Sequence, residues 1–573
     1  MSNVPVATAL GSDKSVSGRA LDRPHIVSLL NFTGMSDALS LAPQRHGRGL
    51  SAVLRRIHSV IRAQAPTRID LILAATSAVL LVLSFPNFDL WPLAWVAIAP
   101  LMIAVLRAPG LSARAFMLGW ITGTLFFYGS CYWLTYAAIR YGHIPTIISY
   151  LLLFPATLIG GLFTAFFAVS LARIVLRFGK YAIFIAPFLW VALEWARFGV
   201  TGQLWNAIGY SQAYAPGLIQ SSRWGGVYAV GFLIVAVNCS VTIFFLQRTK
   251  RSAIVALAVV ALIAFVTVLQ LTTSRNDPMA RADAIVVAIQ PNVPMEPIES
   301  IAESDALVAR HFSMSEKSLR EIRDTSLPRI VVWPESPMNF MYARDSAFRE
   351  ALANFASSNR TSVIFNGMEP AADSGSYNAA VMVNEQGLLL AQYDKIRLLP
   401  FGEYVPLPRW LPGASLVPVM VGDFTPGDRY TLLPLGEARA GIFICFESAF
   451  PYIARRFTID GADVLINISN DGYLGPTPVM KQHLANAIFR AVENDRPLIR
   501  VTNTGISAYI TSRGEVRDAT DGYQTAARTW QVQRSTNGKT FYTRHGDLFV
   551  GFAAALSILF VVGTLLLPDT KTS

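Results

Sequence analysis

The chain has 573 residues, 53% hydrophobic and 15% charged, with a formal net charge of +11. It is too long for one ordinary domain and too apolar for a typical soluble protein. Residues 274–547 carry 27 Lys and Arg against 30 Asp and Glu, so the basic excess belongs to the apolar flanks and speaks for no nucleic-acid partner.

In chain order, residues 1–66 are rich in Ser, Arg, Gly and Pro and lack the apolar core and cleavage site of a signal peptide. They read as a disordered basic cytoplasmic extension. Apolar runs follow near 70–84, 90–106, 115–137, 146–173, 181–198, 226–246 and 252–270, and an eighth near 549–567. Each approaches the roughly 20 residues that cross a hydrocarbon core. The pattern predicts a polytopic α-helical bundle of about eight transmembrane helices, seven of them in residues 67–273 and the last in 548–573 before a short tail.

Orientation follows from the basic residues. Arg55, Arg56, Arg62 and Arg68, then Arg107 and Arg114, then Arg173, Arg177 and Lys180, then Arg248, Lys250 and Arg251 share one side if eight spans alternate. That side is cytoplasmic by the positive-inside rule, which puts residues 274–547 on the opposite face, the periplasm of a bacterium. Cys131 and Cys239 fall inside spans, so the three cysteines suggest no disulfide framework.

Residues 274–547 alternate between strands and helices. Strands are expected at 282–290, 329–336, 361–367, 438–448, 462–471 and 498–510, a hairpin at 379–394, and helices near 304–323, 346–358 and 479–494. This is a layered α/β domain. Three apolar strands or hairpin ends stop abruptly at ionisable residues: VVWPES at Glu335, YDKIRLLPFGEYVP at Lys395 and Glu403, and IFICFES at Cys445 and Glu447.

Strand ends present active-site groups on a rigid scaffold. Alone, Cys445 reads as a buried small hydrophobe, Glu335 as a helix cap and Lys395 as part of a solvated cluster. Together they suggest acyl transfer. A cysteine attacks as thiolate, with Glu335 as base and Lys395 either holding the thiolate or donating to the oxyanion beside the Phe446 N–H. Glu194 and Arg197, three apart at the end of the fifth run, fit a pair on one helix face, solvated near the interface. His483 reads as a helix-surface residue, with no metal, because no second ligand accompanies it at metal spacing.

The ordered set VVWPES, YDKIRLLPFGEYVP, GIFICFES, LINISNDGYLG and ENDRPLIRVTNTGISAYI resembles the carbon–nitrogen hydrolase (nitrilase) superfamily. With its spans and the stretches SFPNFDLWPLAW and LEWARFGVTGQLWNAIGYSQ, the chain is similar to the apolipoprotein N-acyltransferase family within it. The resemblance implies an αββα sandwich, a triad of Glu335, Lys395 and Cys445, and supporting roles for Glu403 and Glu447. It also implies ping-pong transfer of an acyl chain through a Cys445 thioester, without a cofactor. The donor would be a phospholipid, usually phosphatidylethanolamine, and the acceptor the N-terminal amine of a diacylglyceryl-cysteine apolipoprotein. The enzyme would act as a monomer in the bacterial inner membrane, its catalytic domain facing the periplasm. The rival reading is a membrane-tethered amidase or hydrolase of the superfamily, or an N-acyltransferase for another amine. Departures bear on donor and acceptor preference: Phe446 replaces a common Tyr, Gly472 to Leu474 lack a common Trp, QPNVPMEPIES lacks a Lys-Trp pair, and Ile396-Arg397 stand where His is frequent.

Overall fold

The computed structural model describes residues 64–273, 282–295, 300–323, 326–335, 340–372, 375–405, 424–535 and 537–566. Of the expected extension and tail, residues 1–63 and 567–573 lie outside them.

All eight apolar runs are helical. The first seven form α1 (Arg68–Leu83), α2 (Ala99–Leu106), α3 (Ser112–Cys131) with a short α4 (Thr135–Arg140) after it, α5 (Thr146–Phe178), α6 (Ala186–Thr201), α7 (Ser222–Gln247) and α8 (Lys250–Thr273), and the eighth is the helix Leu548–Leu566. Thr67 starts α1 through a capping box with Asp70, and the same carboxylate pairs with buried Arg114 of α3 at 2.7 Å. Five helices are long and apolar enough to cross a membrane: Thr146–Phe178, Lys180–Thr201, Ser222–Gln247, Lys250–Leu269 and Leu548–Leu566. The first run is a 16-residue helix, and the second is broken by a 3-10 turn at Trp91–Leu93. The third, α3, is long enough but rich in small and polar residues, which serve packing. A Cβ on Gly119 or Gly123 would lie within 2.8 Å of the backbone of α5, so only glycine permits this crossing. Leu257, Leu262 and Phe265 of α8 stand exposed, as side chains facing lipid do.

The α/β domain contains β1 (Ala284–Gln290), α9 (Ile301–Arg320), β2 (Arg329–Val332), α10 (Ser346–Asn359), β3 (Ser362–Pro370), β4 (Ser376–Val383), β5 (Leu389–Asp394), β6 (Leu432–Leu435), β7 (Ala438–Ile444), α11 (Pro451–Ile459), β8 (Val464–Ser469), α12 (Val479–Asn494), β9 (Leu498–Thr502), β10 (Ala508–Ile510), β11 (Val516–Arg517), β12 (Ala526–Val532) and α13 (Phe541–His545), which leads into α14 (Leu548–Leu566). The strands make two mixed six-stranded sheets, β12-β1-β2-β3-β4-β5 and β11-β10-β9-β8-β7-β6. Alternation fixes the layers. Val286, Ala288, Ile330, Val332 and Ile364 share a core with Ile442, Ile444 and Ile466 of the other sheet, while Val287, Val331, Val363 and Phe365 pack with Leu319, Leu352 and Phe355 of the covering helices.

Helix α12 joins the domain to the bundle. Gln482 accepts from the indoles of Trp133 (3.0 Å) and Trp205 (2.8 Å), and donates to the carbonyls of Pro86 (3.2 Å) and Ser130 (3.0 Å). That saturates its amide. Two turns on, Arg490 and Glu493 form a fully buried pair at 2.9 Å; Arg490 also meets the Tyr210 hydroxyl at 3.1 Å, and Glu493 accepts from the Val227 N–H at 3.0 Å.

Candidate active site

Each sequence-derived site residue stands where its strand ends. Cys445 follows β7 and opens a 3-10 turn over Cys445–Ala449, with φ +52°, a left-handed conformation that a non-glycine residue adopts at a cost. Glu335 stands three residues beyond β2, and Lys395 directly follows β5.

Lys395 is fully buried. Its ammonium donates to Glu335 Oε1 at 3.1 Å and to Glu403 Oε1 at 2.8 Å, which leaves one of its three protons for the cavity. Burial works against that charge, but the two carboxylates outweigh it and raise the Lys395 pKa well above its ordinary value. Asn378 braces both acids, its amide donating to Glu335 Oε1 at 3.0 Å and Glu403 Oε1 at 2.6 Å. Glu403 also accepts from the Leu399 N–H at 2.8 Å.

The Cys445 pKa is raised, first by burial and next by the Glu335 charge, with Lys395 opposing. Burial thus favours the thiol, and Glu335, lining the same cavity, is a candidate acceptor for its proton. Glu447 has turned away from the reacting groups: its carboxylate accepts from the Tyr393 hydroxyl (2.8 Å) and from the N–H groups of Ile396 (2.8 Å), Arg397 (3.0 Å) and Ile444 (2.8 Å). It ties the turn of Cys445 to the segment of Lys395.

Two expectations are corrected. His483 is not on a helix surface but buried, with Nδ1 2.7 Å from Asp471 Oδ1 and Nε2 2.9 Å from the Cys445 carbonyl oxygen. The bundle covers the face of α12 that the sequence leaves polar. Glu194 and Arg197 are likewise buried rather than solvated; Glu194 accepts from the Ile208 N–H at 2.7 Å, and Arg197 lies over the Phe127 ring at 5.1 Å. They line a separate void of about 30 Å³. Sequence reasoning also missed Asn378 and Asp471; the only local signal was their place at the ends of apolar runs.

Cys445, Glu335, Lys395 and Glu403 open into a cavity of about 490 Å³. One wall is the α/β domain; the other comes from the membrane bundle, with Leu134 and Ala138 near α4, Leu152, Leu153 and Ala156 of α5, and Trp205. An apolar half thus adjoins a charged half that can ionise a thiol and bind an oxyanion.

The chain is similar to known proteins. Residues 77–240 match the apolipoprotein N-acyltransferase N-terminal domain, and residues 319–539 match the carbon-nitrogen hydrolase domain. An apolipoprotein N-acyltransferase of Geobacter metallireducens is 34% identical over 501 residues, 84% of this chain and 92% of the relative. One from Rhizobium rhizogenes is 30% identical, over 71% of this chain and 78% of the relative. Among solved structures, a nitrilase-superfamily protein of branch 10 from Saccharomyces cerevisiae is 18% identical, covers 45% of this chain and 92% of its own, and superposes with a TM-score of 0.34.

Proposed function

Because the chain belongs to the apolipoprotein N-acyltransferase family, we propose that Cys445, Glu335 and Lys395 carry its acyl transfer, with Glu403, Glu447 and the Phe446 N–H in support. Glu335 takes the thiol proton as Cys445 sulfur attacks the ester carbonyl of a phospholipid. Lys395 and the Phe446 N–H receive the oxyanion. Collapse expels the lysophospholipid alkoxide, which recovers the proton from Glu335, and leaves a thioester on Cys445. In the second half, the diacylglyceryl-cysteine ammonium of an apolipoprotein gives one proton to Glu335, its amine attacks the thioester, the amine's second proton passes to the departing sulfur and restores the thiol, and Glu335 releases its proton to solvent.

The observation that carries this reading is the shared cavity, whose apolar wall belongs to membrane helices and whose polar wall holds the three groups. Both proposed substrates are lipids, and phosphatidylethanolamine, the donor the family resemblance implies, is the one to test. We infer eight spans divided as 67–273 and 548–573 around a catalytic domain at 274–547, an αββα sandwich facing the periplasm from the inner membrane. Residues 1–66 form a cytoplasmic extension.

Intact-mass measurement of the purified protein mixed with phosphatidylethanolamine tests the chemistry. One acyl mass is expected on Cys445, lost on addition of a diacylglyceryl lipopeptide and absent in Cys445→Ala. Discharge by water at the same rate without lipopeptide would favour a hydrolase. Substantial transfer by Cys445→Ala would end the covalent mechanism.

A further inference from the structure

The mechanism above makes no use of His483, which is 3% exposed and stands against the nucleophile's own peptide group. Its two ring nitrogens both face acceptors: the Asp471 carboxylate at 2.7 Å and the Cys445 carbonyl at 2.9 Å. The ring thus bridges the Asp471 carboxylate and the Cys445 carbonyl. Asp471 is kept as an acceptor from behind by Arg500 at 3.1 Å, and Arg500 is held in turn by Asn467. Burial works against the Asp471 charge, but Arg500 and His483 outweigh it and keep that carboxyl below its ordinary range.

The peptide bond is planar and trans, so the direction of the Cys445 carbonyl fixes the direction of the Phe446 N–H. The carbonyl points at His483; the N–H points the opposite way. A hydrogen bond that polarises the carbonyl also strengthens the donor across the same peptide. Cys445 has φ +52°, so this plane sits in a conformation that needs outside support. Support reaches it from the membrane side. Gln482, next to His483, is locked by the indoles of Trp133 and Trp205, and the Trp205 ring lies 5.7 Å from His483 and stacks at 6.2 Å on Phe446.

We propose that His483 is a positioning residue for the oxyanion donor: held by Asp471 and Gln482, it fixes the 445–446 peptide plane so that the Phe446 N–H meets the developing oxyanion. The inference rests on Cys445 being the nucleophile, and it assigns His483 no contact with substrate.

Two reactions of the same thiol test it. Acylation by phospholipid forms an oxyanion, whereas displacement of iodide from iodoacetamide forms none. His483→Phe keeps a ring beside Trp205 but loses the polar nitrogens, and His483→Gln keeps a donor. Losing an oxyanion donor typically costs 100- to 1,000-fold. In single-turnover mass measurements His483→Phe should therefore acylate about 100-fold more slowly than the parent, while its alkylation by iodoacetamide changes less than about threefold. His483→Gln should recover at least about tenfold of the acylation loss. Acylation by His483→Phe at the parental rate would overturn the proposal. So would equal losses in both reactions, which would mark a general disturbance of the thiol. If the parent itself forms no adduct, the assignment of Cys445 has failed, a result visible before any variant is made.

Discussion

Glu447 gathers four donors on two oxygens, and a protonated carboxyl would have to turn its own O–H toward one of them. Burial nevertheless pushes its pKa up to about 7, the donors pulling the other way. Between its ordinary value of 4.5 and about 7, the folded protein holds a proton that the unfolded chain has released. Stability should then fall as pH rises through this window, because the folded state binds more protons. Acylation should move oppositely, rising through about pH 7 as the carboxylate forms and its donors settle. Thermal midpoints and single-turnover rates from pH 5 to 8 check both signs, and Glu447→Gln should flatten both profiles. Rates that track stability would contradict this role. Glu335→Gln should block adduct formation outright, since an amide takes no proton; normal thioester formation in that variant would remove Glu335 as the base. The groups proposed to react were legible in the sequence because each ionisable residue follows the end of an apolar strand. His483 was not, because its burial depends on Trp205 and Gln482 joining segments nearly 280 residues apart.

Helix α7 is interrupted at Gly225 and Gly226, the latter with φ +64°, and it restarts at Val227 beneath the Glu493 carboxylate. A carboxylate suits a helix N-terminus, where unpaired N–H groups and the helix dipole favour negative charge. A Cβ on Gly226 would come within 3.0 Å of the Tyr542 ring, so Gly226→Ala meets both strain and contact. The Gly226 conformation, with ψ −163°, alone costs about 1–3 kcal/mol outside glycine. Glu493→Ala should be worse, at about 3–5 kcal/mol, because it strands the buried Arg490 charge. Chemical denaturation in detergent should rank the two in that order; a neutral Glu493→Ala would show that the junction bears no load. The α/β elements were legible from their alternation, apart from the short β6 and β11, the helices α11 and α13, β12, whose partner β1 lies far away in sequence, and the turn that splits the expected strand 498–510 into antiparallel β9 and β10. The α7 break was not legible. Its two glycines sit inside an apolar run, and only the carboxylate arriving from α12 explains them.

At the scale of the whole molecule, function depends on which face of the membrane carries the site. The eight spans proposed above would put the basic turns at 107–114, 173–180 and 248–251 on one side and the proposed catalytic domain on the other. The run most able to change that parity is the long one, and it is a single 33-residue helix, Thr146–Phe178, continuous through Pro155. Of the three helices shorter or more polar than a free-standing span, α3 is crossed closely by α5, as Gly119 and Gly123 allow. A covered helix is not held to the apolarity that lipid demands of an exposed one. In a Cys445→Ala background, a membrane-impermeant thiol reagent applied to intact spheroplasts should label Gln386→Cys, on the exposed β4–β5 turn of the domain, and spare Lys250→Cys until the membrane is opened. The reverse pattern would place the domain in the cytoplasm, where no translocated apolipoprotein amine reaches it, and would overturn the topology and the proposed acceptor together.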